Sequence, residues 1–186
     1  MSNTTTSRTG WTFSAGDEQN ALWGKASAAA PMPYGTSRSD VLKGNNGVNG
    51  FYGLGGNDTI YGYGGTDALA GGTGNDKLYG GTGRDHFFFD SKLNAKTNVD
   101  KIMDFKAADD TIGLSRSIFS KIASGPLKKA AFHLGTKAHD KDDRIVYDKK
   151  TGSLYYDADG TGSAAKIKFA ILANKATITF ADFAIN

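Results

Sequence analysis

Residues 35–88 read GTSRSDVLK, GNNGVNGFY, GLGGNDTIY, GYGGTDALA, GGTGNDKLY and GGTGRDHFF, six consecutive nonapeptides without an insertion or a deletion. The first column is glycine throughout: Gly35, Gly44, Gly53, Gly62, Gly71 and Gly80. The sixth is Asp40, Asn49, Asp58, Asp67, Asp76 and Asp85, and the eighth is apolar, with Leu42, Phe51, Ile60, Leu69, Leu78 and Phe87. Agreement of three columns over six units marks a structural period rather than a glycine-rich linker. Each unit joins a turn that needs positive φ, where glycine carries no steric penalty, to a short strand in which one side chain faces inward and its neighbours outward. A unit with one apolar side chain cannot bury it alone, whereas a stack of units can, so the period predicts a solenoid.

The composition outside this pattern narrows the possibilities. Of the 19 acidic residues 18 are Asp, with Glu18 the exception. Short carboxylates suit turn capping and hard-cation binding better than helix surfaces. The length of 186 residues allows one domain or two small ones sharing an interface. Cysteine is absent, so neither disulfides nor a thiolate zinc site hold the fold. No stretch of about 18 consecutive apolar residues occurs, and no membrane span is expected. Met1 to Gly10 is polar with no apolar run behind it, so no cleavable N-terminal signal is expected either. The net charge of +3 hints only weakly at an anionic partner, and no nucleic-acid partner is expected.

The units GGTGNDKLY and GGTGRDHFF resemble the G-G-x-G-x-D-x-U-x repeats of the RTX, or haemolysin-type, family. The resemblance implies an all-β fold, a right-handed parallel β-roll with two nonapeptides per coil, calcium in the turns, and a β-hairpin-rich C-terminal cap. It divides the chain into residues 1–34, an unassigned leader or N-terminal cap, residues 35–88, the six repeats, and residues 89–186, a post-repeat cap and C-terminal secretion region. Repeats n and n+2 would lie above one another, with Asp40, Asp58 and Asp76 along one edge and Asn49, Asp67 and Asp85 along the other. By the same resemblance, carbonyls of the first four positions face the ions. That nominates Gly53, Gly55, Gly56, Gly62, Gly64, Gly65, Gly71, Gly72, Thr73, Gly74, Gly80, Gly81, Thr82 and Gly83 as further ligands. Up to four sandwiched sites follow: Asp40 with Asp58, Asp58 with Asp76, Asn49 with Asp67, and Asp67 with Asp85. The Asn49 site is expected to be weakest, having lost one charge.

Physical argument supports the need for an ion. Stacked strands lie about 4.8 Å apart, and at an effective dielectric near ~20 successive carboxylates repel by roughly 3 kcal/mol per pair. Oxygen donors without His or Cys at the repeated positions favour calcium over zinc or magnesium. With one inward side chain per repeat the interior is thin, so the roll is expected to be disordered without calcium and folded with it.

After the repeats come D-x-I-x-D-F at Asp100–Phe105 and D-x-I-x-L-S at Asp110–Ser115, similar to the family's post-repeat segment. Asp90 and Asp100 are either ligands of a terminal calcium site or satisfied turn residues. Short β-rich runs around Lys150-Thr151-Gly152 predict a hairpin, Ile145–Tyr147 against Leu154–Tyr156. The Asp157-Ala-Asp159-Gly160 turn opens like an EF-hand loop, but Lys168 stands at the closing position, which favours a plain β-turn. The final ITFADFAIN belongs to the region that the family uses as a type I export signal, which implies an extracellular protein. Trp11, Phe13 and Trp23 either cap the first coil or belong to a disordered leader.

Enzyme chemistry finds no support. Neither HExxH nor GxSxG occurs, and His86, His133 and His139 show no metal-ligand or triad spacing. The ninth column carries Tyr52, Tyr61, Tyr79 and Phe88, which either present an outward aromatic face or lie beneath the C-terminal hairpins. With Lys43 and Arg84 nearby, the first alternative would suit an acidic polysaccharide or a cell surface. The sequence therefore reads as a calcium-binding secreted module that folds outside the cell. The alternative is a calcium-stabilised polysaccharide-binding or adhesion module, or an accessory module of an extracellular enzyme.

Overall fold

The computed structural model describes residues 34–186. Each nonapeptide contributes one turn and one strand: β1 (Val41–Lys43), β2 (Gly50–Tyr52), β3 (Thr59–Tyr61), β4 (Ala68–Ala70), β5 (Lys77–Tyr79) and β6 (His86–Phe89). Odd strands pair with odd and even with even, all in parallel, in the registers Leu42↔Ile60↔Leu78 and Phe51↔Leu69↔Phe87. Parallel neighbours need a crossover between them. Here the crossover is a turn, a strand of the opposite sheet and a second turn, so two nonapeptides make one coil of a parallel β-roll.

Two strands beyond the repeats continue both ladders. β7 (Asp100–Ile102) follows β5 in the register Leu78↔Ile102, and β8 (Thr111–Leu114) follows β6 in the register Phe87↔Ile112. The remaining elements are β9 (Gly125–Pro126), β10 (Phe132–Leu134), β11 (Ile145–Asp148), β12 (Ser153–Tyr156), β13 (Ile167–Leu172) and β14 (Phe183–Ile185). They complete an eight-stranded sheet, β1-β3-β5-β7-β13-β12-β11-β10, and a six-stranded sheet, β2-β4-β6-β8-β14-β9. β13 adds in parallel to β7 and β14 in parallel to β8, so the C-terminal segment builds a further layer on the roll.

The eighth-column side chains fill the space between the sheets. Ile60, Leu69, Leu78, Phe87, Ile102 and Ile112 are all fully buried, and they belong to one apolar cluster with the cap residues Phe105, Phe119, Phe169 and Phe183. Phe169 packs edge-on against both Phe89 and Phe119 with ring centroids 5.1 Å apart, a favoured geometry for aromatic quadrupoles. The expected hairpin is present, with Ile145 opposite Tyr156 and Tyr147 opposite Leu154. The Asp157–Gly160 segment is a turn in which the Asp157 carboxylate accepts the Gly160 N–H at 3.0 Å.

Two expectations need correction. The aromatic ninth column does not form one face, because Tyr61 and Tyr79 stand on the eight-stranded sheet and Tyr52 and Phe88 on the six-stranded one. Successive repeats alternate sheets, so a column splits in two. Nor do the hairpins lie over the tyrosines, since they extend the eight-stranded sheet at its edge. The readings for Trp11, Phe13 and Trp23 concern positions outside the described residues, while Tyr34 makes a parallel bridge to Tyr52.

Leu78 sits in mid-ladder between Ile60 and Ile102, so Leu78→Ala is expected to lower stability by about 2–5 kcal/mol. Lys77→Ala, on the exposed face of the same strand, should stay within about 0.5 kcal/mol. Urea denaturation in saturating calcium measures both.

Candidate metal centre

The sixth-column carboxylates stand where each turn meets its strand, and each ties its coil to the one below. Asp58 Oδ1 accepts the Asp40 N–H at 2.8 Å and Asp76 Oδ1 the Asp58 N–H at 2.7 Å. On the opposite edge Asp67 Oδ1 accepts from Asn49 N at 2.7 Å and Asp85 Oδ1 from Asp67 N at 3.0 Å. The structure thus brings Asp40, Asp58 and Asp76 into one ladder and Asn49, Asp67 and Asp85 into another. Both ladders run past the repeats, because Asp100 Oδ1 accepts from Asp76 N and Asp110 Oδ1 from Asp85 N, each at 3.1 Å.

The second oxygen of these carboxylates decides the chemistry. Oδ2 of Asp58, Asp67, Asp76 and Asp85 is buried and has no hydrogen-bond partner. An ionised oxygen in that position costs several kcal/mol unless a cation meets it. Each Oδ2 also lies beside the first-column glycine of its own repeat. A Cβ added at Gly53 would collide with Asp58 Oδ2 and with the Gly71 carbonyl of the next coil, and one at Gly62 with Asp67 Oδ2 and the Gly80 carbonyl. Oxygens from two coils therefore converge on one small space at each of these turns, as hard-cation coordination requires.

This changes the physical account of the glycines. Positive φ falls on the fourth position, at Gly56, Gly65, Gly74 and Gly83, and on the second, at Gly72 and Gly81. Leu54 and Tyr63 hold that second position with φ of 72° and 76°, a conformation that side chains with a Cβ adopt at a cost. The invariant first column is glycine for room, not for φ. The third-position residues Gly55, Thr73, Gly64 and Thr82 form parallel bridges, Gly55 with Thr73 and Gly64 with Thr82, which keep the turns stacked.

The first two repeats are built differently. Asp40 Oδ2 accepts from both Thr36 N, at 2.7 Å, and Thr36 Oγ1, at 2.8 Å. The Asn49 amide donates to Asp67 Oδ1 at 2.9 Å and to the Gly47 and Asn45 carbonyls. Asp90 and Asp100 line a common cavity of about 10 Å³ together with Gly72 and Asn98, and Asp90 also accepts the Tyr52 hydroxyl at 3.0 Å. Sequence reading missed Asp110 and Asp104. Asp104 accepts from Gly80 N at 3.0 Å and from Gly81 N at 2.9 Å. Asp110-Thr111-Ile112 repeats the Asp58-Thr59-Ile60 pattern, and that signal was available.

Burial raises the carboxyls along both ladders. Desolvation, with neighbouring carboxylates adding, pushes Asp58 up to about 6 and Asp85 up to about 7. Desolvation raises Asp67, Asp76 and Asp110 as well, and Asp100, deeply buried beside Asp76, is raised well above the usual range.

The RTX calcium-binding nonapeptide repeat family matches at residues 34–69 and 61–91. Residues 34–91 are RTX calcium-binding nonapeptide repeats. The RTX array and its cap resemble the solution structure of the AlgE6R3 subunit of the Azotobacter vinelandii mannuronan C5-epimerase. The two share 25% identity over 86% of this chain and 83% of that one, with a TM-score of 0.53. The AlgE6R2 subunit of the same epimerase has the same fold, at 24% identity over 84% of this chain and 93% of that one, with a TM-score of 0.51. No curated protein matches the chain.

Two outcomes follow for the RTX array. Asp76→Asn should raise the calcium concentration at half-folding by on the order of tenfold. Asp110→Ala, beyond the matched repeats, should raise it too, and Asp40→Ala should shift it least. The midpoint from calcium titrations monitored by circular dichroism measures all three. The pH dependence has opposite signs with and without the ion. Between the ordinary carboxyl value of 3.8 and the raised values of about 6 and 7, the folded array holds protons that the unfolded chain has lost. Without calcium this contribution to stability is fully present below about pH 4 and is lost as pH rises through about 6 to 7. Calcium competes with those protons, so its affinity should rise over the same interval. Isothermal titrations at about pH 5, 6 and 7.5 check it, and a flat profile would contradict the assignment.

Proposed function

We propose that this chain is a module whose folding is triggered by calcium outside the cell. The observation that carries the reading is the set of four buried, unpartnered Oδ2 atoms, at Asp58, Asp67, Asp76 and Asp85. Four carboxylates so placed make the empty roll self-repelling and the loaded roll cohesive, so that ion binding becomes folding energy. The ions would lie between successive coils, with Asp58 and Asp76 on one edge and Asp67 and Asp85 on the other. First-column carbonyls such as those of Gly71 and Gly80 would supply further oxygens. Asp90 with Asp100, and Asp110 with Asp104, would close the two edges beyond the repeats.

A calcium-dependent fold gives export a direction. Cytosol is poor in calcium, so the chain stays loose there and can thread a type I secretion channel. Outside, calcium folds it and prevents return. Residues 178–186, the proposed export region, contain the 3-10 turn Phe180–Asp182 and all of β14 in the folded protein. They would therefore be read before the cap closes.

One observation favours a second reading, in which the folded module holds an acidic polysaccharide. Tyr63, Tyr61 and Tyr79 form a continuous ring stack, with centroids 5.9 Å and 4.6 Å apart, on the outer face of the eight-stranded sheet beside the exposed Lys77. Flat aromatic rings with a nearby cation suit a sugar face and its carboxylate. The AlgE6 subunits of like fold belong to a mannuronan C5-epimerase, which makes an accessory role in an extracellular enzyme the natural form of this reading.

Far-UV circular dichroism during calcium titration tests the first reading. A coil-to-β transition is expected in the submillimolar to millimolar range typical of extracellular modules, on the order of 10⁻⁴–10⁻³ M. Magnesium, which prefers fewer protein ligands and holds its water, should not reproduce it. An equally ordered chain after exhaustive chelation would sink the proposal. Loss of polysaccharide retention in Tyr61→Ala and Tyr79→Ala, with calcium-induced folding intact, would establish the second.

A further inference from the structure

A cluster unrelated to the repeats lies in the crossover from β10 to β11. These strands are parallel neighbours in the register His133↔Val146, so the chain must return between them, and residues 135–144 do so within one short loop. The return brings His133, His139 and Asp143 together although the sequence separates them. One ligand atom from each lies within 4.8 Å of the other two. His133 Nδ1 is 3.8 Å from Asp143 Oδ2, and the two imidazole rings stack with centroids 5.5 Å apart and planes 9° apart.

The cluster is braced from the protein side. Asp143 is 3% exposed, and its Oδ2 accepts the His139 N–H at 2.6 Å and the Asp140 N–H at 3.1 Å. Asp140 Oδ2 stands 3.4 Å from His139 Nδ1 and orients that ring. Its Oδ1 accepts from Asp142 N at 2.8 Å and Asp143 N at 3.2 Å. Gly135 leaves room for the other ring, because a Cβ there would meet His133 Nε2 at 2.6 Å. Carboxylates and backbone groups that orient the ligating side chains are the usual support of a bound transition metal.

The donor set differs from that of the array. Two imidazoles and one carboxylate select zinc and its divalent neighbours, whereas calcium takes oxygen alone. Bonds of about 2.0–2.1 Å bring tetrahedral donors closer to one another than the spacing seen here. The half-exposed His133 and the exposed His139 are free to rotate inward while the buried Asp143 stays fixed.

We propose that His133, His139 and Asp143 form a second metal site that takes one zinc or like divalent transition ion, with water completing the coordination. The ion pins β10, the terminal strand of the eight-stranded sheet, to the loop that returns from it. A site of this kind answers to a different metal from the array, so the edge of the cap and the roll are stabilised by separate ions.

The test uses the full chain in saturating calcium, with cobalt and zinc as probes. Cobalt should give the intense visible absorption of four- or five-coordinate geometry, and zinc should displace one equivalent. His139→Ala, at an exposed position, should leave the calcium-loaded circular dichroism spectrum unchanged and weaken zinc binding by on the order of 10–100-fold. His133→Gln should do the same. Zinc binding that is indifferent to both substitutions, or cobalt that keeps a weak six-coordinate spectrum, overturns the proposal.

Discussion

Everything in the array depends on the placement of one oxygen. Oδ1 of Asp58, Asp67, Asp76 and Asp85 is used by the protein, as the acceptor for the corresponding N–H of the neighbouring coil. Oδ2 of the same four is buried without a hydrogen-bond partner. The two oxygens of one side chain thus stand in separate situations, one spent on register and the other open to a cation. A coil slipped by one residue would move the whole eighth column out of the core and would separate the converging oxygens of adjacent turns. Register, core and metal site are consequently a single cooperative arrangement. A cation held where coils meet, not within one coil, would act on all three.

Glycine follows from the same placement. The first column must lack a Cβ because the space beside it belongs to the carboxylate and to the next coil's carbonyl. In repeats three to six the fourth column reaches positive φ at the turn. The second column tolerates Leu54 and Tyr63 there. This tolerance explains why side chains appear there: strain of a single left-handed residue is about 1–2 kcal/mol, whereas a first-column Cβ would collide with the carboxylate and the carbonyl of the next coil.

The period of nine with one apolar column per unit made a solenoid legible in the sequence, and the resemblance to RTX repeats implied a roll with two units per coil. The edge assignments of Asp40, Asp58 and Asp76 against Asn49, Asp67 and Asp85 followed once two units made a coil. What stayed hidden were features that depend on alternation and on insertions. The split of Tyr52, Tyr61, Tyr79 and Phe88 between two sheets comes from alternation, which a column-wise reading conceals. Asp100 was nominated, but the place of Asp110 in the second ladder was masked by units longer than nine residues, although the Asp-x-Ile spacing survives in both. The meeting of His133 and His139 was beyond sequence reasoning altogether, because it is produced by the crossover between β10 and β11. No local spacing rule encodes it.

The cap and the array are joined by the coil formed from β7 and β8, and this sets a gradient of stability along the molecule. On one side, β7 and β8 carry Asp100 and Asp110, the last members of the carboxylate ladders. On the other they pair with β13 and β14, behind which lies the aromatic group of Phe89, Phe119 and Phe169. Conventional apolar packing is thus concentrated at the cap end, where burial of large rings contributes most. It thins toward the first repeats, where Val41 is 64% exposed and Leu42 only partly buried. Each coil farther from the cap has less side-chain packing to hold it. In such a stack order propagates between nearest neighbours. The cap supplies a template edge for the roll, and in repeats one and two protein donors, Thr36 and the Asn49 amide, already meet carboxylate oxygens.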